Sequence, residues 1–153
     1  MKLKRELHEV PDPRAPFLYE VWNWEGDPSI LPIKWFELLQ KHDQQAATAK
    51  FSSISKDFLV QNYINNEHFD PKGFFFITHR SECVAGLLAW PKGEICEIKT
   101  FAVLNSHWNK GVPESIVALA LNYAKNKGFN LVECEAFTDQ ETQVLQNLGF
   151  RVN

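Results

Sequence analysis

The run Val103-Leu104-Asn105-Ser106-His107-Trp108-Asn109-Lys110-Gly111-Val112-Pro113-Glu114-Ser115 is where this sequence concentrates residue types able to hold a ligand. Backbone N–H groups converging at the start of a helix suit an anionic group. Gly111 lets the backbone come close and adopt positive φ, and Lys110 adds a cation beside it. Two residues oppose this. Pro113 brings no N–H, and Glu114 places a carboxylate in the first helical turn, where it suits the helix dipole but repels an anion. Elsewhere the chemistry is sparse. His8, His42, His68 and His79 show no metal-ligand spacing, and His107 is a lone loop histidine. Cys83, Cys96 and Cys134 are odd in number without a C-x-x-C pair, which predicts reduced, mostly buried thiols and neither a disulfide framework nor a zinc ribbon.

The elements that must position the loop follow from pattern. Gly73-Phe74-Phe75-Phe76-Ile77-Thr78 and Cys83-Val84-Ala85-Gly86-Leu87-Leu88-Ala89-Trp90 read as an antiparallel hairpin turning at Arg80-Ser81-Glu82. Gly86 marks a bulge or a close backbone approach. A third strand covers about Ile95 to Val103. The best helix runs from Pro113 to Lys127, with Val117, Ala120, Leu121 and Ala124 as one stripe and Gly128 as its C-terminal cap. Leu131 to Phe137 reads as a strand and Gln140 to Leu148 as a short last helix. Strand, strand, strand, helix, strand, helix predicts an α+β fold with a mixed sheet. Its βαβ unit makes the strands at Ile95–Val103 and Leu131–Phe137 parallel, with the ligand off the end of the first, at Val103 to Ser115.

Ahead of these, Val10 to Leu31 carries Pro11, Pro13, Pro16 and Pro28, which interrupts long helices. Shorter helical patterns follow at Trp35 to about His42 and from about Ser55. One domain over 1–153 is predicted, with 1–54 irregular and 55–153 regular. The 153 residues carry 16 Lys and Arg against 19 Asp and Glu, a net charge of −3, which argues against non-specific nucleic-acid or anionic-membrane binding. Twelve Phe and five Trp exclude disorder. No run is long and apolar enough for a membrane span and no signal-like segment opens the chain, so a cytoplasmic protein is expected.

In order and spacing, several segments resemble the GNAT-type N-acetyltransferases. Val103 to Pro113 aligns without gaps to that family's V-x-P-x-x-R-G-x-G-x-G/A loop. Phe69-Asp70-Pro71-Lys72-Gly73-Phe74-Phe75 with Val84-Ala85-Gly86 resembles its "F-D-P-x-G-F-F" and "V-x-G" hairpin. Leu145-Gln146-Asn147-Leu148-Gly149-Phe150 resembles its terminal "Y-x-x-x-G-F". The resemblance covers roughly 55 to 152. It implies a mostly antiparallel sheet flanked by helices, with a splayed parallel strand pair at the cofactor site, and a front third that covers the acceptor side.

The resemblance further implies acetyl transfer from acetyl-CoA, a co-substrate, to a small-molecule or peptide primary amine, with no metal. Acetyl-CoA would lie along Phe101, Ala102 and Val103, with its pyrophosphate at Trp108, Asn109, Lys110, Gly111, Val112 and Ser115. The family arginine falls on Trp108. Glu97 falls on the general-base glutamate, with Glu94 behind it, and half-burial on a strand would raise its pKa toward the working pH. The alternative for Glu97 is a solvated strand face shared with Lys99. The family's terminal tyrosine falls on Leu145, which leaves Tyr123 as the candidate acid. A GNAT-fold binding or regulatory module without catalysis is the competing reading. The family's C-terminal hairpin has no counterpart before Asn153, so the Leu131–Phe137 edge is expected either to pair in a homodimer or to be covered by the N-terminal segment.

Overall fold

The computed structural model describes residues 1–25 and 31–152. Among them, seven strands form one sheet: β1 (Lys2–Glu6), β2 (Tyr19–Asn23), β3 (Phe74–His79), β4 (Glu82–Lys92), β5 (Ile95–Val103), β6 (Leu131–Glu135) and β7 (Arg151–Val152). The order is β2-β3-β4-β5-β6-β1-β7. Every neighbouring pair is antiparallel except β5 and β6, which are parallel. The helices are α1 (Leu31–Ala46), α2 (Lys56–Leu59, continuing as a π-helix over Val60–Ile64), α3 (Val112–Asn126) and α4 (Asp139–Asn147). The predicted α+β class, mixed sheet and right-order elements from β3 onward all appear.

The aromatic run of β3 divides between the two faces of the sheet, as a period of two requires. Phe74 and Phe76 point to the α1 side, where the Trp35 ring stands 4.6 Å from that of Phe74. Phe75 points to the α3 side and meets Tyr123 at 6.4 Å. Gly86 on β4 is a close approach: a Cβ there would stand 2.8 Å from Leu38 Cδ2 of α1 and 3.2 Å from the Phe76 ring. Trp24 stacks on Phe74, their planes 5° apart, and Trp35 is fully buried, so both tryptophans pack on the sheet.

The β3–β4 hairpin closes on Arg80 and Ser81, which connect the pair His79↔Glu82 and have φ of 51° and 66°. Both central residues are therefore left-handed, the geometry that Asn-Gly adopts with least strain. Replacing Arg80-Ser81 by Asn-Gly is expected to raise stability by about 1–2 kcal/mol, read as a higher urea midpoint at unchanged slope.

Two expectations need correction. The segment 1–54 is not irregular, for it supplies β1, β2 and all of α1. Of the Val10 to Leu31 prolines, Pro11, Pro13 and Pro16 lie in the crossing between β1 and β2, and Pro28 lies outside the described residues. The second is the homodimer alternative at the β6 edge, because the other alternative, cover by the N-terminal segment, is the one found. β1 pairs along that edge from Lys2↔Glu135 to Glu6↔Leu131, and the Ala136 N–H donates to Met1 O at 2.8 Å. Of the two occupants expected for that edge, the N-terminal segment is the one present, which leaves a second copy no β6 edge to pair with. Leu3, the one apolar residue of β1, is fully buried and fixes the register.

Candidate active site

The parallel ladder between β5 and β6 is short. It holds Cys96↔Val132, Glu97↔Glu133 and Ile98↔Cys134, and then the strands part. On the other side, Lys99 pairs with Leu88 but Ala102 with Gly86, so β5 carries one residue more than β4 across that step. The bulge centres on Thr100, whose φ of 53° is left-handed and strained for a β-branched residue. It turns β5 away from β6, and a cleft of about 380 Å³ opens beside the splay. Phe51, Tyr63, Phe101 and Phe137 give it apolar walls, and Lys2, Lys50, Glu97, Lys99, Thr100 and Glu133 give it polar groups.

Glu97 and Glu133 face each other across the ladder, a like-charge pairing that costs stability unless neutralised. Lysines do so. Lys99 Nζ lies 2.6 Å and Lys92 Nζ 3.1 Å from the Glu97 carboxylate. Lys4 and Lys2 approach Glu133 at 3.3 and 3.9 Å. Burial works to raise the Glu97 pKa, but hydrogen bonds and charge from Lys99 and Lys92 outweigh it and hold the carboxyl below its ordinary value. The direction is thus opposite to the expected one, because the partners on its own strand and turn reach back over it. Glu94 stays exposed beside the turn at Gly93.

Lys50 is a residue that sequence reasoning missed. The α1 helix ends where Ala47 turns to φ 51°, and the Asp43 carboxylate accepts the Phe51 N–H at 2.7 Å, which holds the segment after the helix. Lys50 is thereby aimed into the splay. Its ammonium donates to Phe101 O at 2.7 Å and pairs with Glu141 of α4 at 3.2 Å, both side chains only 4% exposed. Glu141 also accepts the Phe137 N–H, while its own N–H donates to the Thr138 hydroxyl that caps α4. Nothing in Ala49-Lys50-Phe51 signals this, since no pattern distinguishes a buried lysine from a surface one. Thr100 was missed as well, and its Oγ1 is buried in the cleft wall with no partner among the described residues.

The other expected residues fall into separate groups. Ala102 and Val103 are buried in β5 opposite Gly86 and Ala85. Trp108, at the family-arginine position, packs its ring 6.3 Å from that of Phe101, behind the cleft. Asn109 and Lys110 end a 3₁₀ turn, Gly111 is left-handed at φ 80°, and Val112 opens α3. The chain's own N-terminal crossing lies against this helix start. Ser115 Oγ donates to Arg14 O at 3.0 Å, and a Cβ on Gly111 would meet Pro16 at 3.4 Å.

Tyr123 is on the α3 side of the sheet, away from Glu97. Its hydroxyl donates to Asp70 Oδ2 at 2.5 Å, and its ring lies over Gly73. Asp70 also caps the turn at Pro71–Gly73 through the Lys72 N–H. Burial opposes ionisation of Asp70, but Tyr123, Lys72 and Lys127 hold its carboxyl below the usual value. Stability from this lock is present above the ordinary carboxylate pKa of ~4 and is lost as pH falls through the lower folded value. Tyr123→Phe is expected to cost about 1.5–3 kcal/mol at pH 7, with the difference from wild type shrinking below pH ~4 in urea titrations.

A mostly antiparallel sheet with one splayed parallel pair, a cleft at the splay and a glycine turn into a long helix define an acyltransferase fold. A sequence profile of the acetyltransferase (GNAT) family matches residues 15–150, and the chain belongs to that family. No curated protein sequence matches. Among solved structures, the chain is similar to a GCN5-related N-acetyltransferase from Sphaerobacter thermophilus, at 13% identity and a TM-score of 0.82, over 99% of this chain and 47% of that one. This chain thus spans about half the length of that relative. It is also similar to the ribosomal-protein-S18-alanine N-acetyltransferase from Escherichia coli (12% identity, TM-score 0.67, 87% of this chain and 77% of that one). A third is an aminoglycoside N-acetyltransferase, AAC(6')-Iy, in complex with CoA (14% identity, TM-score 0.65, 93% of each chain). No helix among the described residues is long and apolar enough to cross a membrane.

Proposed function

We propose that this chain is an acyl-CoA-dependent N-acyltransferase that moves acetyl from acetyl-CoA to a primary amine bound in the cleft at the β5–β6 splay. The observation that carries the reading is that splay, with an ionised Glu97 on the wall of the cleft it opens. The CoA complex of a structurally similar acetyltransferase supports the same co-substrate.

Acetyl-CoA supplies the thioester carbon that the amine attacks and the thiol that leaves. The chain's part is to hold the amine without its proton and to polarise the carbonyl. The cleft lysines around Glu97 disfavour an ammonium and so lower the pKa of a bound amine. Glu97, held as a carboxylate, receives the amine's proton through water. Backbone N–H groups along Phe101–Val103, past the end of the parallel ladder, act on the carbonyl oxygen. A departing thiol of pKa ~8.5 needs no dedicated acid near neutrality. That agrees with Leu145, fully buried at the family-tyrosine position, and with Tyr123 occupied by Asp70. Asn109 to Val112 would take the diphosphate, with Lys110 as the cation, whereas Ser115, expected there from the resemblance, has its hydroxyl on Arg14 O and its N–H on Gly111 O.

Calorimetry with acetyl-CoA tests the reading. Binding with a Kd below ~1 mM is expected, and no heat at that concentration would overturn it. The competing reading, a binding module without turnover, is favoured by one observation. Arg14 and Pro16 lie against the first turn of α3, where the diphosphate would approach.

A further inference from the structure

The chain as a whole carries −3, yet the cleft lining is balanced, with Lys2, Lys50 and Lys99 against Glu97, Glu133 and Glu135. Its walls and the ion pairs on them bring together five lysines (Lys2, Lys4, Lys50, Lys92, Lys99) and four glutamates (Glu97, Glu133, Glu135, Glu141). The pairs are unequally satisfied. Lys50 is closed in by Glu141 and Phe101 O, and Lys99 sits tightly on Glu97. Glu133 already has Lys4 at 3.3 Å, so Lys2, at 3.9 Å and 53% exposed, is held loosest while lining the cleft. A polycation gains nothing from such a site, because each additional ammonium meets lysines already paired with the available carboxylates. An anionic group on the ligand does gain, from the Lys2 ammonium. The remaining wall, Phe51, Ile54, Tyr63, Phe101 and Phe137, is apolar and suits a hydrophobic side chain.

We infer that the acceptor is an amine that also carries a carboxylate, an amino acid or short peptide with an apolar side chain, with its carboxylate on Lys2 and its amine toward Glu97. The inference rests on the acyltransfer reading for what happens to that amine, but the ligand class is measurable without it.

The test is calorimetry on the full chain without acetyl-CoA, using L-phenylalanine, 2-phenylethylamine (the same amine lacking the carboxylate) and spermidine. L-Phenylalanine is expected to bind at least tenfold more tightly than either amine. Lys2→Met should abolish that preference, and Lys2→Arg should keep most of it. Lys2 is exposed, so Lys2→Met should melt close to wild type, which separates lost binding from lost folding. Equal or tighter binding of 2-phenylethylamine or spermidine overturns the inference. So does a preference that survives in Lys2→Met, or no binding of any of the three. Acetylation of L-phenylalanine is followed in parallel. The carboxylate preference without acetylation keeps the ligand class and overturns acyl transfer, whereas acetylation of spermidine in preference does the reverse.

Discussion

Glu97→Gln lowers kcat/KM for the amine acceptor by about 10²-fold, the low end of what a positioned base contributes. The low end follows from the two lysines. With Lys99 and Lys92 at 2.6 and 3.1 Å, the carboxylate is ionised throughout the working range but is a weak base. Its depressed pKa also fixes the pH profile. No rising limb attributable to Glu97 appears above pH ~4, and the limb seen in kcat/KM belongs to the acceptor amine losing its proton. Removing the carboxylate charge leaves Lys92 and Lys99 uncompensated, so the field at the bound amine becomes more positive and the amine limb in kcat, which reports the complex, moves to lower pH while that in kcat/KM stays at the free amine's pKa. Measuring kcat/KM and kcat between pH ~6 and ~10 for both proteins checks the size in the first and the sign in the second. Unchanged turnover would leave Glu97 as an ion-pair partner of the strand face.

Lys50→Met has the largest expected effect on stability, a loss of about 3–5 kcal/mol, or about 6–20 °C in Tm. The variant leaves the buried Glu141 carboxylate with no counter-ion, although the methionine fills similar volume beside the Phe51, Phe101 and Phe137 rings that the ammonium now lies over. Truncating one partner of a buried pair is costly for that reason, while replacing both is nearly neutral. The double variant Lys50→Met/Glu141→Gln is therefore expected to recover most of the loss, since glutamine still accepts the Phe137 N–H and leaves the Thr138 cap of α4 in place. A double-mutant cycle by urea unfolding gives the coupling directly. Additive losses would mean that the pair is not the unit described.

The parts of the fold legible in the sequence are those whose pattern is local. The Phe74–Ile77 run, the stripe of α3 and the glycine after it each state their own structure within a dozen residues. β1 did not, because Lys2-Leu3-Lys4-Arg5-Glu6 has one apolar residue among charges and its partner strand is far along the chain. Once paired, those charges become meaningful, since Lys2 and Lys4 are what Glu133 requires. The position of Glu97 was legible, but its electrostatics were not. Lys99 could be read two residues away, whereas Lys92 reaches it only across the β4–β5 turn. The Thr100 bulge, which opens the cleft, had no signal either, since a threonine inside an apolar strand argues for regular β structure.

The most direct measurement is multiple-turnover incubation of the full chain with acetyl-CoA and L-phenylalanine or a panel of other primary amines, following N-acetyl product by mass spectrometry. Acyl transfer in the cleft predicts product that accumulates in proportion to enzyme and time, and falls by about 10²-fold in Glu97→Gln. No product above the enzyme-free rate with any amine, from folded protein, would contradict it.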